Sequence, residues 1–323
     1  MINPVFIIIF NVITGTSCLI FGVEFLSSGL EKANAAALKK VLSAYTGSLI
    51  KAFTSGTLLT ALVQSSTAVT LITVGLVNSG MINLSNAAGI IYGANIGTTI
   101  TAQLMSIKIT SIGLPVLIIG LFIRITARKY SIRNIGKALV GFGFMFTGLD
   151  ILNLSVPYIR ESQFVYDMFL NYGNNAFTCL IIGMVATMLV HSSAATVGIT
   201  IVLFNAGLIS FDAAIALTLG DNIGTCATSL VAAIGSGTQG QRTAWVHTLY
   251  NVIGVIVIII LFEPFGNLVK NVTIFLKQDK TRLVANAHTI FNALSAIVFL
   301  PVNKYYIRFI NIVVPDKERQ RFN

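Results

Sequence analysis

Two long apolar runs in this chain are broken at their middles by hydrogen-bonding side chains. Gln64-Ser65-Ser66-Thr67 interrupts one run and His191-Ser192-Ser193 interrupts the other. A second polar cluster follows each break, at Gly93-Ala94-Asn95-Ile96-Gly97-Thr98-Thr99 and Gly220-Asp221-Asn222-Ile223-Gly224-Thr225-Cys226. Hydroxyl and carbonyl oxygens suit a hard monovalent cation such as sodium, by the same logic that gives calcium and magnesium their oxygen ligands. Hydroxyl donors beside helix N-termini suit an oxyanion, because exposed N–H groups and the positive helix end face it. A site that spares Arg and Lys also lets an anion leave again. The candidate substrate-binding residues are therefore Gln64, Ser65, Ser66, Thr67, Asn95, Thr98, His191, Ser192, Ser193, Asn222 and Thr225, with Thr99 and Asp221 as candidate sodium ligands.

Any one of these residues has a plainer reading. A Ser or Thr caps a turn or bonds back to a local carbonyl, and a Gly or Asn permits close helix packing. The set of four matched motifs favours binding, because polar groups inside apolar runs are costly and by default functional. Asp221 stands where the first copy has Ala94, and it supplies either negative charge to a cation site or a proton acceptor. His191 replaces Gln64, and an imidazole gives and accepts hydrogen bonds as an amide does while belonging to the class that changes charge near neutral pH. His247 and His288 lie in a further echo, Ala244-Trp245-Val246-His247-Thr248-Leu249-Tyr250-Asn251 against Ala285-Asn286-Ala287-His288-Thr289-Ile290-Phe291-Asn292. Metal or catalytic use of these histidines needs partner ligands that the sequence does not offer, so an interhelical hydrogen bond is the preferred reading.

The matches come from an internal repeat. At a shift of 127, about 20 of the 46 positions from 56 to 101 are identical, among them Gly56/Gly183, Thr60/Thr187, Asn78/Asn205 and Gly80/Gly207. At a shift of 126, Phe21-Gly22-Val23-Glu24 meets Thr147-Gly148-Leu149-Asp150. Apolar identities carry little weight, whereas matched Ser, Asn, Gly and Thr inside apolar runs do.

The elements that position these residues are set by composition. Of 323 residues 55% are hydrophobic and 10% charged, with a mean hydropathy of +0.84. A soluble domain carries about 25% charged residues, so this chain belongs in a bilayer, where roughly 20 apolar residues make a crossing. The expected crossings are 5–29, 85–107, 111–128, 136–154, 211–234, 244–262 and 283–300. The interrupted stretches 43–79 and 171–207 have pieces too short to span, and re-entrant helical hairpins fit them, since polar backbone at membrane depth must be buried in protein or line a cavity. The N-terminal run lacks a basic start and is too long for a signal-peptide core, so it is a retained span. Cys18, Cys179 and Cys226 lie in apolar sequence with no pairing pattern.

The net charge of +10 sits in short loops and reads as a topology signal facing anionic lipid, with no nucleic-acid partner expected. The basic loop 124–137 is placed inside the cell and 155–170 outside, which leaves the two copies inverted. The basic loop 266–282 falls outside and runs against this layout. The fold expected is an all-α polytopic membrane protein with two inverted repeats, each holding a re-entrant hairpin. A membrane transport domain covers 1–302 (repeat one about 9–130, repeat two about 136–262, an extra helix at 283–300), and 303–323 form a cytoplasmic tail. Inverted repeats with broken helices are a transporter architecture.

At these residues the chain resembles the type II sodium/phosphate cotransporters. That family's repeated Gln-Ser-Ser element is similar to Gln64-Ser65-Ser66-Thr67, with His191-Ser192-Ser193 as a variant second copy. Its Gly-x-Asn-Ile-Gly-Thr element is similar to the runs beginning at Gly93 and Gly220, and the Ala-x-x-His-Thr-x-x-Asn echoes resemble its C-terminal half. The resemblance runs from about Gly15 to Pro301. It implies sodium-driven symport of inorganic phosphate by alternating access in a multi-pass cell-membrane protein, with substrate held between the two hairpins. Sodium is then the coupling ion, no cofactor is needed, and lipid and a homodimeric partner copy are the expected associations. A transporter of another oxyanion or small organic acid is the alternative in the same class. A membrane enzyme acting on a lipid phosphate through His247, His288 and Asp221 is the alternative outside it.

Overall fold

The computed structural model describes residues 4–35, 38, 40–41, 47–107, 112–163 and 175–316. The tail beyond 316, residues 164–170 of the loop placed outside, and residues 43–46 and 171–174 at the starts of the interrupted stretches lie outside the described residues. The described residues are helical, with no strand among them. In chain order the helices are α1 Pro4–Ala33, α2 Leu49–Val63, α3 Ser66–Asn78, α4 Leu84–Met105, α5 Gly113–Thr126, α6 Tyr130–Asn153, α7 Val156–Glu161, α8 Ala176–Val190, α9 Ser193–Asn205, α10 Phe211–Ala232, α11 Thr238–Ile260, α12 Phe262–Phe275 and α13 Leu283–Val313. Five helical stretches are long and apolar enough to cross a membrane, those built on α1, α6, α10, α11 and α13. The chain is a multi-pass membrane protein.

The repeat is written in the helix boundaries. Helices α2, α3 and α4 begin at 49, 66 and 84, and α8, α9 and α10 begin at 176, 193 and 211, each 127 residues later. Their last residues keep the same offset. Local signals explain the register. Ser48 caps α2 by accepting from the Lys51 amide, and Asn175 caps α8 by accepting from the Thr178 amide. Gly80 and Gly207, with φ of +74° and +70°, occupy the left-handed region after α3 and α9, where any side chain strains the backbone.

The residues fall into two compact units. The first comprises 1–34, 101–224 and 262–288, and the second 35–100, 225–261 and 289–323. In the first unit α1 lies on α6 through glycines. A Cβ at Gly15 would come 3.0 Å from the Gly148 carbonyl, one at Gly22 would strike the Met145 amide, and one at Gly29 would come 2.7 Å from the Asn134 carbonyl. The partner numbers fall as the α1 numbers rise, so the two helices run antiparallel. Small residues of this kind let membrane helices approach backbone to backbone. In the second unit the core is aromatic. Tyr92 and Tyr250 stack with ring centroids 4.7 Å apart, and Phe299 meets Tyr250 and Tyr306 edge-on, each at 4.9 Å. Their hydroxyls are spent inside the core, with Tyr92 donating to Asn303 Oδ1 at 2.9 Å and Tyr306 to the Val246 carbonyl at 2.7 Å.

Three expected elements differ. The last helix was expected over 283–300 but runs on to Val313, carrying Pro301 inside it and placing Lys304 and Arg308 on helix. Membrane helices tolerate an internal proline because neighbouring groups satisfy the freed carbonyl. The basic segment 266–282 is largely helix α12, which buries Phe265, Val269 and Thr273 at four-residue spacing and exposes Leu268, Lys270 and Phe275. Of the segment's charges only Lys270 lies on this one-faced helix, while Lys277, Asp279, Lys280 and Arg282 follow its end. Helix α5 has 14 residues, shorter than the crossing expected at 111–128.

Candidate functional site

Each polar break is a turn of one residue in left-handed conformation. Gln64 and His191 both have φ of 55°, end α2 and α8, and give their amides to the carbonyls of Thr60 and Thr187 at 2.7 and 2.8 Å. A non-glycine residue there costs about 1–2 kcal/mol. The next residue, Ser65 or Ser192, is extended and caps the following helix, its Oγ accepting from the Ala68 amide at 3.2 Å or the Ala195 amide at 3.3 Å. The capping reading thus holds for both serines, and it leaves each hydroxyl proton free to donate. With 15 and 13 residues, at about 1.5 Å per residue, neither arm of either pair reaches across a hydrocarbon core of about 30 Å.

The two tips differ in their side chains. Gln64 is buried and its Nε2 donates to the Ala61 carbonyl, whereas His191 is exposed. Ser66 is buried, and Thr67, Ser192 and Ser193 are half-buried.

In the first unit the tip of the second copy lies near a buried acid. Asp221 has no solvent exposure, and the Thr187 hydroxyl donates to its Oδ1 at 2.9 Å while standing 2.8 Å from the Thr196 Oγ1. Three residues 34 apart in sequence or less thus make one oxygen cluster from α8, α9 and α10. Asn222, next to Asp221, donates to its own helix at the Thr218 carbonyl, 2.8 Å away. The first copy has the same frame without the charge. Thr60, Val69 and Ala94 occupy the positions of Thr187, Thr196 and Asp221, and the buried Thr60 Oγ1 has no hydrogen-bond partner among the described residues. Thr196 escaped the sequence reading, and Thr187 entered it only as the repeat partner of Thr60. Their signal was the loss of Thr196 and Asp221 together in the first copy.

In the second unit a small cavity of about 10 Å³ joins two residues singled out from sequence, Thr67 on α3 and Thr225 on α10, to Thr70, Thr228, Ser229 and His247. That volume admits one water-sized group. Beside it runs a polar chain. Asn95 Nδ2 donates to Asn251 Oδ1 at 2.7 Å, Asn251 Nδ2 points to Cys226 Sγ at 3.1 Å, and Ser229 Oγ sits 3.1 Å from His247 Nδ1. The Ala-x-x-His-Thr-x-x-Asn segment of α11 is therefore the support of the Asn95 motif. His247 does make the interhelical hydrogen bond expected of it. Thr99 donates to the Ile96 carbonyl at 2.8 Å, which leaves its lone pairs for a ligand, and Thr98 is half-buried on the same helix.

The sequence profile of the Na+/Pi-cotransporter family matches residues 18–153 and 164–292, each stretch holding one copy of the paired motifs. The chain belongs to the Na+/Pi-cotransporter family. It is 29% identical over 308 residues to YqeW of Bacillus subtilis, covering 94% of this chain and 99% of that protein. It is 25% identical over 307 residues to the "Putative inorganic phosphate export protein YjbB" of Salmonella typhimurium, covering 95% of this chain and 56% of YjbB. Over 139 residues it is 30% identical to the sodium-dependent phosphate transport protein 2A of Rattus norvegicus, covering 40% of this chain and 22% of that protein. No solved structure matches the chain. The family is one of transporters, and YjbB and protein 2A are named for phosphate export and transport, which removes the lipid-phosphate enzyme reading; the family takes sodium as its coupling ion without a cofactor.

Proposed function

We propose that this Na+/Pi-cotransporter family member carries inorganic phosphate across the cell membrane by sodium-coupled symport and alternating access. The observation that carries the reading is the pair of Ser-capped turns in identical register, each opening a helix whose first-turn amides lack intrahelical partners. Such an end attracts an oxyanion without a fixed positive charge, so the anion is not trapped. In this reading Gln64, Ser65, Ser66, Thr67, Asn95, Thr98, His191, Ser192, Ser193, Asn222 and Thr225 handle phosphate. Asp221, with Thr187 and Thr196, takes a sodium ion through oxygen ligands, and Thr99 is a second sodium ligand.

Inverted repeats belong to the same proposal. What supports them is the antiparallel contact of α1 with α6, the first helices of the two copies at a shift of 126. The short helix pairs are then re-entrant, and the uncovered Phe6, Ile9, Phe10 and Ile13 of α1 face lipid. The direction of transport is open to a second reading, export, which the printed name of YjbB favours.

Labelled phosphate uptake into proteoliposomes, with sodium gradients imposed in either direction, tests both. Faster phosphate movement along the sodium gradient is expected. Equal movement with and without a gradient removes sodium coupling, and none beside a working control transporter removes phosphate.

A further inference from the structure

Within the second unit a groove of about 360 Å³ opens where α13 meets the starts of α2 and α4. Small-molecule pockets are of this size, roughly 300–1,000 Å³. Its polar lining is Ser85, Asn303, Lys304 and Arg308, and Leu49, Leu300, Pro301 and Ile307 supply the apolar part. Lys304 and Arg308 are exposed, and neither meets an acid among the described residues. The sequence of the whole second unit places Asp and Glu only at 316 and 318. Asn303 is already engaged, its Oδ1 accepting from the Tyr92 hydroxyl and its Nδ2 donating to Ser85 Oγ at 2.7 Å. The Ser85 oxygen is the acceptor in that bond, which leaves its own proton to give. The groove thus presents a hydroxyl, an ammonium and a guanidinium as donors, with no carboxylate in its lining. Helix α13 has 31 residues and is roughly 45 Å long, against a hydrocarbon core of about 30 Å, so it extends beyond that core. Its surface changes along one stripe, from the exposed Ile297 through Pro301 to Lys304 and Arg308, at three- to four-residue steps. Tyr305, exposed beside the two cations, is the residue type that anchors a helix at the membrane interface.

We propose that this groove binds the phosphate headgroup of an anionic membrane lipid, with Lys304, Arg308 and Ser85 on the phosphate and an acyl chain along Leu300 and Ile297. Basic pockets between membrane helices hold such headgroups, and a guanidinium matches two phosphate oxygens at once. Inorganic phosphate shares the oxyanion chemistry. The apolar half of the lining decides for lipid, because a free phosphate has nothing to lay against Leu49, Leu300 and Ile307. In the layout read from loop charge this end of α13 is cytoplasmic, the side whose leaflet carries anionic lipid. The proposal stands apart from the phosphate-transport reading. It gives the two cations a partner and makes the lipid a fastening, since one headgroup would touch α2 at Leu49, α4 at Ser85 and α13 at Lys304 and Arg308.

Phosphatidylglycerol is titrated into the full chain in a nonionic detergent, and the melting temperature is followed. Phosphatidylcholine replaces it in a second arm, and a third repeats the first with millimolar inorganic phosphate present. Phosphatidylglycerol should raise the melting temperature saturably and phosphatidylcholine should not. Inorganic phosphate should leave the half-saturating mole fraction of phosphatidylglycerol where it was. Lys304→Gln with Arg308→Gln should raise that mole fraction about thirtyfold, about fivefold for each cation. Both side chains are exposed, so the double variant should melt as wild type does in detergent alone. Arg128→Gln with Arg133→Gln removes the same net charge from exposed positions of the first unit and should leave the titration within about twofold. An equal rise with phosphatidylcholine overturns the proposal, and so does equal weakening in the control pair or wild-type saturation in the Lys304 and Arg308 variant. Displacement of the lipid by inorganic phosphate overturns it as well and makes the groove a site for the free anion.

Discussion

Replacing Asp221 by Asn keeps the side chain's shape and its ability to accept from Thr187, 2.9 Å away, while removing its charge. The carboxylate has no solvent exposure, and its hydroxyl neighbours Thr187 and Thr196 are buried as well. A unit charge about 4 Å from a monovalent cation is worth about 4 kcal/mol at an effective dielectric of about 20. The full loss corresponds to a factor on the order of a thousand in sodium affinity. The Asn oxygen and the two threonine hydroxyls still ligate and return part of this, so the half-saturating sodium concentration should rise at least thirtyfold or so. The assay is initial-rate phosphate transport in proteoliposomes against sodium concentration at fixed ionic strength. The maximal rate at saturating sodium should survive better than the affinity. A half-saturation point within about twofold of wild type, in protein that still transports, would refute the assignment of Asp221 to the cation.

Three further outcomes follow from the same geometry. Ser65→Ala and Ser192→Ala each remove a cap worth about 1 kcal/mol and the tip hydroxyl, so uptake should fall while membrane insertion persists; wild-type rates in both would make the tips structural only. His191→Gly relieves a left-handed residue at φ 55° and should raise the melting temperature in detergent while lowering phosphate uptake, and full uptake would remove the imidazole from the site. Gly93→Ala drives a Cβ onto the Phe53 carbonyl and should cost about 1–3 kcal/mol or more in thermal melting, whereas Gly75→Ala, with nothing within 4 Å, should be neutral or stabilising.

Much of this arrangement is legible in the sequence because the chain states it twice. The shift of 127 that aligns Ser65 with Ser192 also aligns both ends of three successive helices. The residues that break the pattern, Gln64/His191 and Ala94/Asp221, mark where the copies differ chemically. The oxygen cluster around Asp221 is less legible. Thr187 and Thr196 precede it by tens of residues, and only the left-handed turn at His191 brings α8 and α9 together there. The contact of Ser229 with His247 was hidden for a different reason, since it joins α10 to α11 across 18 residues of sequence. Helix α12 was missed because its buried positions 265, 269 and 273 run straight into Lys277, Asp279, Lys280 and Arg282, and the whole reads as a charged loop when charges alone are counted.

The glycines of α4 and α10 bear on how such a protein moves. Cβ atoms at Gly93 and Gly97 would strike the α2 carbonyls of Phe53 and Thr57, and those at Gly220 and Gly224 would strike the α8 carbonyls of Leu180 and Met184. Each long helix is thus keyed to the first arm of its own turn, tooth against backbone, with the threonine side chains of Thr57, Thr60 and Thr187 also within 3 Å of the added atoms. A slip of one residue would present a Cβ to an oxygen, so this joint resists sliding and the tip has no hinge of its own at that seam. The first arm and the long helix thus share one seam, and in the second copy that long helix also bears Asp221, so a shift of the arm along this seam is also a shift against the acid's own helix.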